Sequence, residues 1–271
     1  MTEFFSILSY EFMQNAVLAG LLASMVCGVI GPFVVARQMV FISGGLSHAA
    51  FGGLGIAYFL GINPLYGATA FVLLSAGGLG LLKEKTGKSD LFIGILWAIG
   101  MAIGIIFIHL TPGYTPDLMT FLFGNILTVP RSDLFIMSVL VLVVLLTVSI
   151  FYRGFVSIAF DEEYAMARRL PVRWLDIALL LLIGLSIITL IQVVGIILVI
   201  ALLTIPVAIA EEFSNAFSNV MIISAALGVF ICWTGLFFSY LIAFPSGASI
   251  IMVGGMLLGV VKIAKKTAGR Y

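Results

Sequence analysis

The chain has little charge. Of its 271 residues only 9% are Asp, Glu, Lys or Arg, whereas 62% are hydrophobic and the mean hydropathy is +1.27. A water-soluble domain carries roughly a quarter charged residues on its surface, so this composition excludes a soluble globule and indicates an integral membrane protein. The 13 Lys and Arg nearly cancel the 12 Asp and Glu. That balance supplies neither the basic field that nucleic acid requires nor an acidic tail, and nucleic-acid partners are excluded. Cysteine is equally scarce: Cys27 and Cys232 both sit inside apolar runs. They rule out a disulfide framework or a cysteine-rich zinc site and read as packing residues. With two histidines, no His-Glu-x-x-His and no Gly-x-Ser-x-Gly, an intramembrane protease or hydrolase has no machinery. Residues 1–10 carry Glu3 but no Lys or Arg, so they lack the basic region of a signal peptide and the first apolar segment is expected to be retained. Lys85-Thr-Gly-Lys-Ser89 ends like a phosphate loop, yet Leu82 stands where the loop needs its first glycine, and the segment reads as a charged loop.

What is present is a series of apolar runs. A helix needs about 20 such residues to cross the hydrocarbon core with its backbone bonded internally. The runs predict an all-α, polytopic membrane protein with spans near 12–36, 38–60, 65–82, 91–110, 134–152, 175–192, 195–210, 219–243 and 247–264. The stretch 175–210 is too long for one ordinary span, and Gln192 with Gly195 marks the expected break; fusing it gives the eight-span alternative. Lys and Arg accumulate on the cytoplasmic side. Nine spans with the N-terminus outside place Arg37, Lys83, Lys85, Lys88, Arg153, Arg168, Arg169, Arg173, Lys262, Lys265, Lys266 and Arg270 inside and only Arg131 outside. The nine-span arrangement, N-out and C-in, is therefore preferred. The sequence shows no internal repeat or separate soluble part, so residues 1–271 form one transmembrane domain.

Two segments do not read as spans. On the outer side 118–129 is apolar but about half a membrane long, and reads as a re-entrant or surface helix. Its Phe121 and Phe123 could form an apolar constriction, with Asn125 as the polar member that must find a partner. On the inner side 160–169 begins with Asp161, Glu162 and Glu163 and ends with Arg168 and Arg169, charges that complement a helix dipole at both ends. It reads as a short cytoplasmic helix with Asp161 as its N-cap.

His109 falls near the outer end of the fourth span, where a solvated interfacial histidine is the simpler reading. His48 falls roughly 15 Å from the inner end of the second span, near the midplane, and an ionisable side chain at that depth marks a functional position. Gly44, His48 and Gly52 share one helix face, and Gly45, Ala49, Gly53 and Ala57 make a small-residue ridge beside it. The ridge would permit close helix packing, and the glycine face would leave space beside the imidazole. The alternative is a histidine hydrogen-bonded to a neighbouring helix carbonyl.

Several stretches occur in an order that resembles a known family: Gly31-Pro-Phe-Val-Val-Ala-Arg37, Gly45-Leu-Ser-His-Ala49, Ile93-Gly-Ile-Leu96, Phe121-Leu-Phe-Gly-Asn-Ile-Leu127, Phe160-Asp-Glu-Glu-Tyr-Ala165, Val194 to Pro206, and Leu241-Ile-Ala-Phe-Pro-Ser-Gly-Ala248. Over nearly its full length the chain resembles the permease subunits of zinc/manganese/iron ABC importers, the ABC-3 type. The resemblance implies a type II ABC importer-like homodimer in the prokaryotic cytoplasmic membrane, seated on two copies of a separate ATPase and fed by an extracytoplasmic metal-binding protein. ATP would bind only the partner subunit, so the chain would not itself be an enzyme and would hold no permanent cofactor, only the passing zinc or manganese ion. It also implies that 160–169, with Phe160, Asp161, Glu162, Glu163, Tyr164 and Arg168, is the helix that couples to the ATPase, and that 118–129 is the outer gate. Many family members carry Asp one turn before the histidine; here that position is Gly44. His48 with Ser47, Gly44 and Gly52 is expected to line the pathway, and a lone imidazole without the carboxylate suits zinc slightly better than manganese. A secondary transporter working without an ATPase is the competing expectation.

Overall fold

A computed structural model describes residues 10–86, 89–112 and 124–267, side chains of 81–90 excepted. Among the described residues it is all-helical. The helices are α1 (Glu11–Ala36), α2 (Val40–Phe59), α3 (Pro64–Thr86), α4 (Ser89–Leu110), α5 (Arg131–Phe160), the short α6 (Glu162–Ala167), α7 (Val172–Val194), α8 (Ile196–Ala210), α9 (Phe217–Ile242) and α10 (Ser246–Thr267), with a single 3-10 turn at Ile126–Thr128. Nine of these, all but α6, lie where the apolar runs placed them. Seven are long and apolar enough to cross a membrane; α8 and the apolar part of α3, Pro64–Gly80, are shorter. At 1.5 Å per residue the 15 residues of α8 reach roughly 22 Å, less than a bilayer core of about 30 Å.

One boundary departs from expectation. The run 134–152 stops at Arg153, but α5 continues to Phe160, because a helix leaving an apolar medium needs only one buried face. Phe155 and Ile158 supply that face, fully buried at i and i+3.

The direction of each helix follows from what meets at its ends. Arg37, the C-cap of α1, bonds Glu162 of α6 and Asp176 in the second turn of α7. Lys265 at the end of α10 pairs at 3.1 Å with Glu212 beyond α8, and Val207 and Ala210 of α8 pack with Val220 of α9 and Val35 of α1. These ends make one charged end of the bundle. At the opposite end Arg131, opening α5, pairs with Glu11, opening α1, at 2.9 Å, and Asn15 donates a buried hydrogen bond to the Val129 carbonyl at 3.1 Å. Accordingly α7 leaves the charged end and α8 returns to it. The reversal takes one buried residue, Gly195, at φ 81° and ψ 161°, a conformation open in practice only to glycine. The Gly195 N–H still donates to Ile191 O, and its carbonyl accepts from Val199, so no backbone group there is left bare. An uninterrupted 175–210 helix, on which the eight-span alternative depends, is not what forms.

The layers differ in burial. The most apolar windows of α1 and α2 are 72% and 78% buried, against 17% in α4 and 11% in α10, so α1 and α2 are inner helices and α10 lies on the periphery. Pro32 in α1 and Pro206 in α8 lie inside helices. Neighbouring helices compensate such interruptions in an apolar medium.

A candidate cation station and the charged end

Helix α2 carries five glycines in 20 residues and remains a helix because no other conformation satisfies its backbone away from water. The ridge predicted on it is a packing surface. A Cβ at Gly45 would run into the Ile93 side chain, one at Gly53 into the Gly67 carbonyl, and one at Gly100 of α4 would lie 2.7 Å from the Ala49 Cα. The inner helix is thereby wedged between α3 and α4.

His48 is half-buried on the flank of this wedge. Its ring stacks on Trp97 of α4, with centroids 4.2 Å apart and planes 22° apart. The stack fixes the imidazole plane, and the buried Nδ1 makes no hydrogen bond among the described residues. A buried, unpaired nitrogen is costly unless something absent from the protein itself completes it. The carbonyl partner considered as an alternative is not there for Nδ1. Space beside the ring lies on the Gly44 side, where a Cβ would meet only Ile200 Cδ1 of α8, at 3.8 Å. Gly52 differs from the expectation: a Cβ there would stand 2.9 Å from Phe71 Cζ and 3.1 Å from the Gly100 carbonyl, so this glycine serves packing and opens no space.

Ser47 is brought to a different place. Fully buried, it donates to the Ser43 carbonyl at 2.7 Å and lines a cavity of about 300 Å³ shared with Phe51, Tyr58, Asn63, Ile188 and Gln192, which His48 does not line. Successive helix residues point about 100° apart, so one helix presents the hydroxyl and the imidazole to separate surroundings. Among the described residues no group of three or more His, Cys, Asp or Glu is placed to hold a metal. One chain therefore offers a single imidazole.

Of the outer segment, Phe121 and Phe123 lie outside the described residues. The described part is a 3-10 turn, not α-helix. Asn125, which is exposed, caps it, its Oδ1 accepting from Leu127 N–H at 3.2 Å. Gly124, at φ 60°, sits against the backbone of Val194 and Gly195, so this segment lies on the α7–α8 reversal.

At the charged end the short helix forms as its sequence indicates. Asp161 is its N-cap, accepting from Tyr164 N–H at 2.8 Å, and left-handed Arg169 closes it with Leu170 N–H donating back to Ala165 O. Phe160, Tyr164 and Met166 are exposed, Phe160 packs edge-on against Phe217, and Arg168 lies over the Tyr164 ring. Glu163 is exposed. Glu162 is not simply part of that free face, because Arg37 Nη2 holds its carboxylate at 2.6 Å. Sequence reasoning counted Arg37 as a marker of sidedness and did not single out Trp97 or Asp176. Acids or arginines within a turn or two of an apolar run were the available signal.

A bundle with seven helices long and apolar enough to cross a bilayer defines a polytopic membrane protein. The model of the ABC 3 transport family matches residues 9–265, and the chain belongs to that family. Among its relatives is an uncharacterised membrane protein of Synechocystis sp., 46% identical across 92% of this chain and 89% of its own length. The manganese transport system membrane protein MntC of Listeria monocytogenes is 35% identical across 93% and 90%. Among solved structures, PsaBC from Streptococcus pneumoniae in complex with Fab superposes with a TM-score of 0.85 at 32% identity, covering 96% of this chain and 94% of that one.

Proposed function

We propose that the chain is the membrane-spanning permease of an ATP-driven importer of divalent transition metal ions. The carrying observation is the His48 Nδ1, buried near Gly44 without a hydrogen-bond partner among the described residues. A cation crossing the bilayer needs replacement ligands for part of its water shell, but few enough that it can leave. One neutral imidazole with retained water meets that requirement, and the His48 of a second copy facing it across a shared pore would add a second nitrogen. Kinship with proteins named for manganese transport supports a metal cargo.

With the charged end in the cytoplasm, the arginines and lysines at 37, 153, 168, 169, 173, 262, 265 and 266 lie inside and Arg131 alone outside, as the charge bias requires. In this arrangement α3 and α8 complete nine crossings, N-out and C-in. Hydrolysis belongs to a separate ATPase, with ATP on that subunit alone. The exposed Phe160, Tyr164 and Met166 of the α6 region suit an apolar groove on it. The segment 118–129 closes the pathway from outside, where an extracytoplasmic metal-binding protein delivers the ion. Two indications bear on the ion and differ: a nitrogen ligand without a carboxylate suits zinc, and the relatives' names favour manganese. Transport without an ATPase has no observation in its favour.

The test is flux in proteoliposomes containing the permease and the ATPase that co-purifies with it, with Mn²⁺ and Zn²⁺ supplied separately and in competition. His48→Ala should abolish uptake of both ions while the complex still assembles and hydrolyses ATP. Undiminished uptake by that variant returns His48 to a packing role, and the competition ratio in the wild type decides the ion.

A further inference from the structure

We infer that Arg37 is the joint through which α6 moves α2, so that displacement of the short helix reaches His48 as movement of the α1–α2 corner. The inference rests on the transport reading above and adds to it how the two ends of that machine are connected.

Arg37 is a charged residue whose side chain is only 5% exposed. Its planar fork reaches two elements at once: Nη2 bonds Glu162 in the first turn of α6, and Nη1 bonds Asp176 of α7. Two charge-assisted hydrogen bonds from one rigid planar fork, one to each carboxylate, fix the relative orientation of the two partners in a way the single flexible ammonium of a lysine does not. The corner to which Arg37 belongs has no slack. Arg37, Gln38 and Met39 donate back to Phe33 O, Val35 O and Val34 O, at 3.1, 3.0 and 2.7 Å, with Gln38 left-handed at φ 56° and Met39 fully buried. Met39 O then accepts from Ser43 N–H at 2.9 Å, so the corner leads without a gap into α2 and up to His48.

The neighbouring connections change helical direction in the places such a joint needs. Helix α6 follows α5 through one extended residue, Asp161 at φ −154°, whose N–H donates to Ser157 O and whose side chain caps α6, so the turn between the two helices is confined to that residue. Above the corner, Pro32 has no N–H to give the α1 ladder, a standard point of helix bending. Thus α6 is hinged toward α5 and clamped toward α2. A push on its exposed face is transmitted through Glu162 and Arg37 to the corner, with the first turns of α7 moving in the same body. The corner's tie to α8 runs past the same bend, where a Cβ on Gly31 would stand 2.6 Å from the Leu203 carbonyl.

A static brace would show the same contacts, so the test must read motion. In a background with Cys27 and Cys232 replaced, Gln38→Cys and Ala167→Cys, both at exposed positions, are joined by a bis-maleimide of matching length in the assembled, reconstituted complex, and ATP-driven Mn²⁺ and Zn²⁺ flux is measured. If the corner and α6 move as one body, the lock leaves flux in place. Arg37→Gln without the lock should raise the ATP consumed per ion delivered by about ten-fold, within the range that coupling free energies span, and the lock should restore the ratio. Lys265→Gln, which breaks the ion pair to Glu212 at the same end, should leave it unchanged. A lock that stops transport in the Arg37 protein overturns the inference, as does an unaltered ratio in Arg37→Gln. Should Arg37→Gln fail to assemble, the lock in the Arg37 background still decides. Absence of any ATP-dependent flux in the unmodified complex would instead reject the transport reading itself.

Discussion

The glycines of α2 and those of α10 look alike in sequence and behave differently in the bundle. In α2 almost every glycine is occupied by a neighbour: Gly53 and Gly67 bring two backbones into contact, Gly55 meets Gly104, and Gly45 receives Ile93. In α10, Gly254 packs against Ile205 and Ile231, but Gly255 and Gly259 stand four residues apart on one face, and a Cβ on either would meet nothing within 4 Å. Both helices form, because an apolar medium leaves the backbone no alternative whatever its glycine content. Glycine's meaning is therefore decided one level up. On an inner helix it sets how near two axes can come, and on a peripheral one it merely leaves a gap. Gly44 belongs to neither group, since it is buried on the inner helix and still has room.

The strongest way to break this comparison is Gly53→Val. The added carbons would fall on the Gly67 carbonyl, and α2 and α3 would have to separate, at a cost of about 3 kcal/mol or more. Detergent-purified protein should lose most of its folded, monodisperse fraction, and a melting temperature equal to wild type would mean the two backbones do not touch. Gly44→Asp should fold, because only Ile200 lies within reach of its Cβ. Its effect belongs to the ligand: Mn²⁺ should raise the melting temperature of this variant and not that of the wild type, since a bound ion stabilises only the folded form. No Mn²⁺ dependence in the variant would remove position 44 from the cation's path. The smallest effect is expected at Gly259→Ala, a gain of about 0.5–1 kcal/mol from the stiffer residue. A smaller species than the wild type on sizing would show instead that a second copy covers this face of α10.

What could be read in the sequence was what is decided locally. Apolar runs located nine of the ten α-helices among the described residues, glycine at 195 located the reversal, and Asp161 ahead of two glutamates located the short helix and its cap. The end of α5 escaped notice, because beyond Arg153 its fully buried face is only Phe155 and Ile158 among largely half-buried neighbours. The site was legible in part. His48 could be singled out by its depth, and the ridge beside it by its small residues. The separation of Ser47 from His48, the closure of Gly52 by Phe71, and the Trp97 stack depend on where α3, α4 and α7 arrive, and no local pattern in α2 carries that information. Arg37 illustrates the same limit: its charge reported a side of the membrane, and only the fold revealed that it joins three helices.

The one-residue reversal at Gly195 also decides how this end of the protein can be handled from outside. A connection normally offers a few solvated residues that a protease can grip or that can be lengthened to carry a tag. Here Gly195 is buried and has the Gly124 backbone laid across it. Cleavage would require α7 and α8 to part first, and an inserted epitope would have to be accommodated between two packed helices. On a topology diagram this position is drawn as an open loop, but in the folded protein it is sealed.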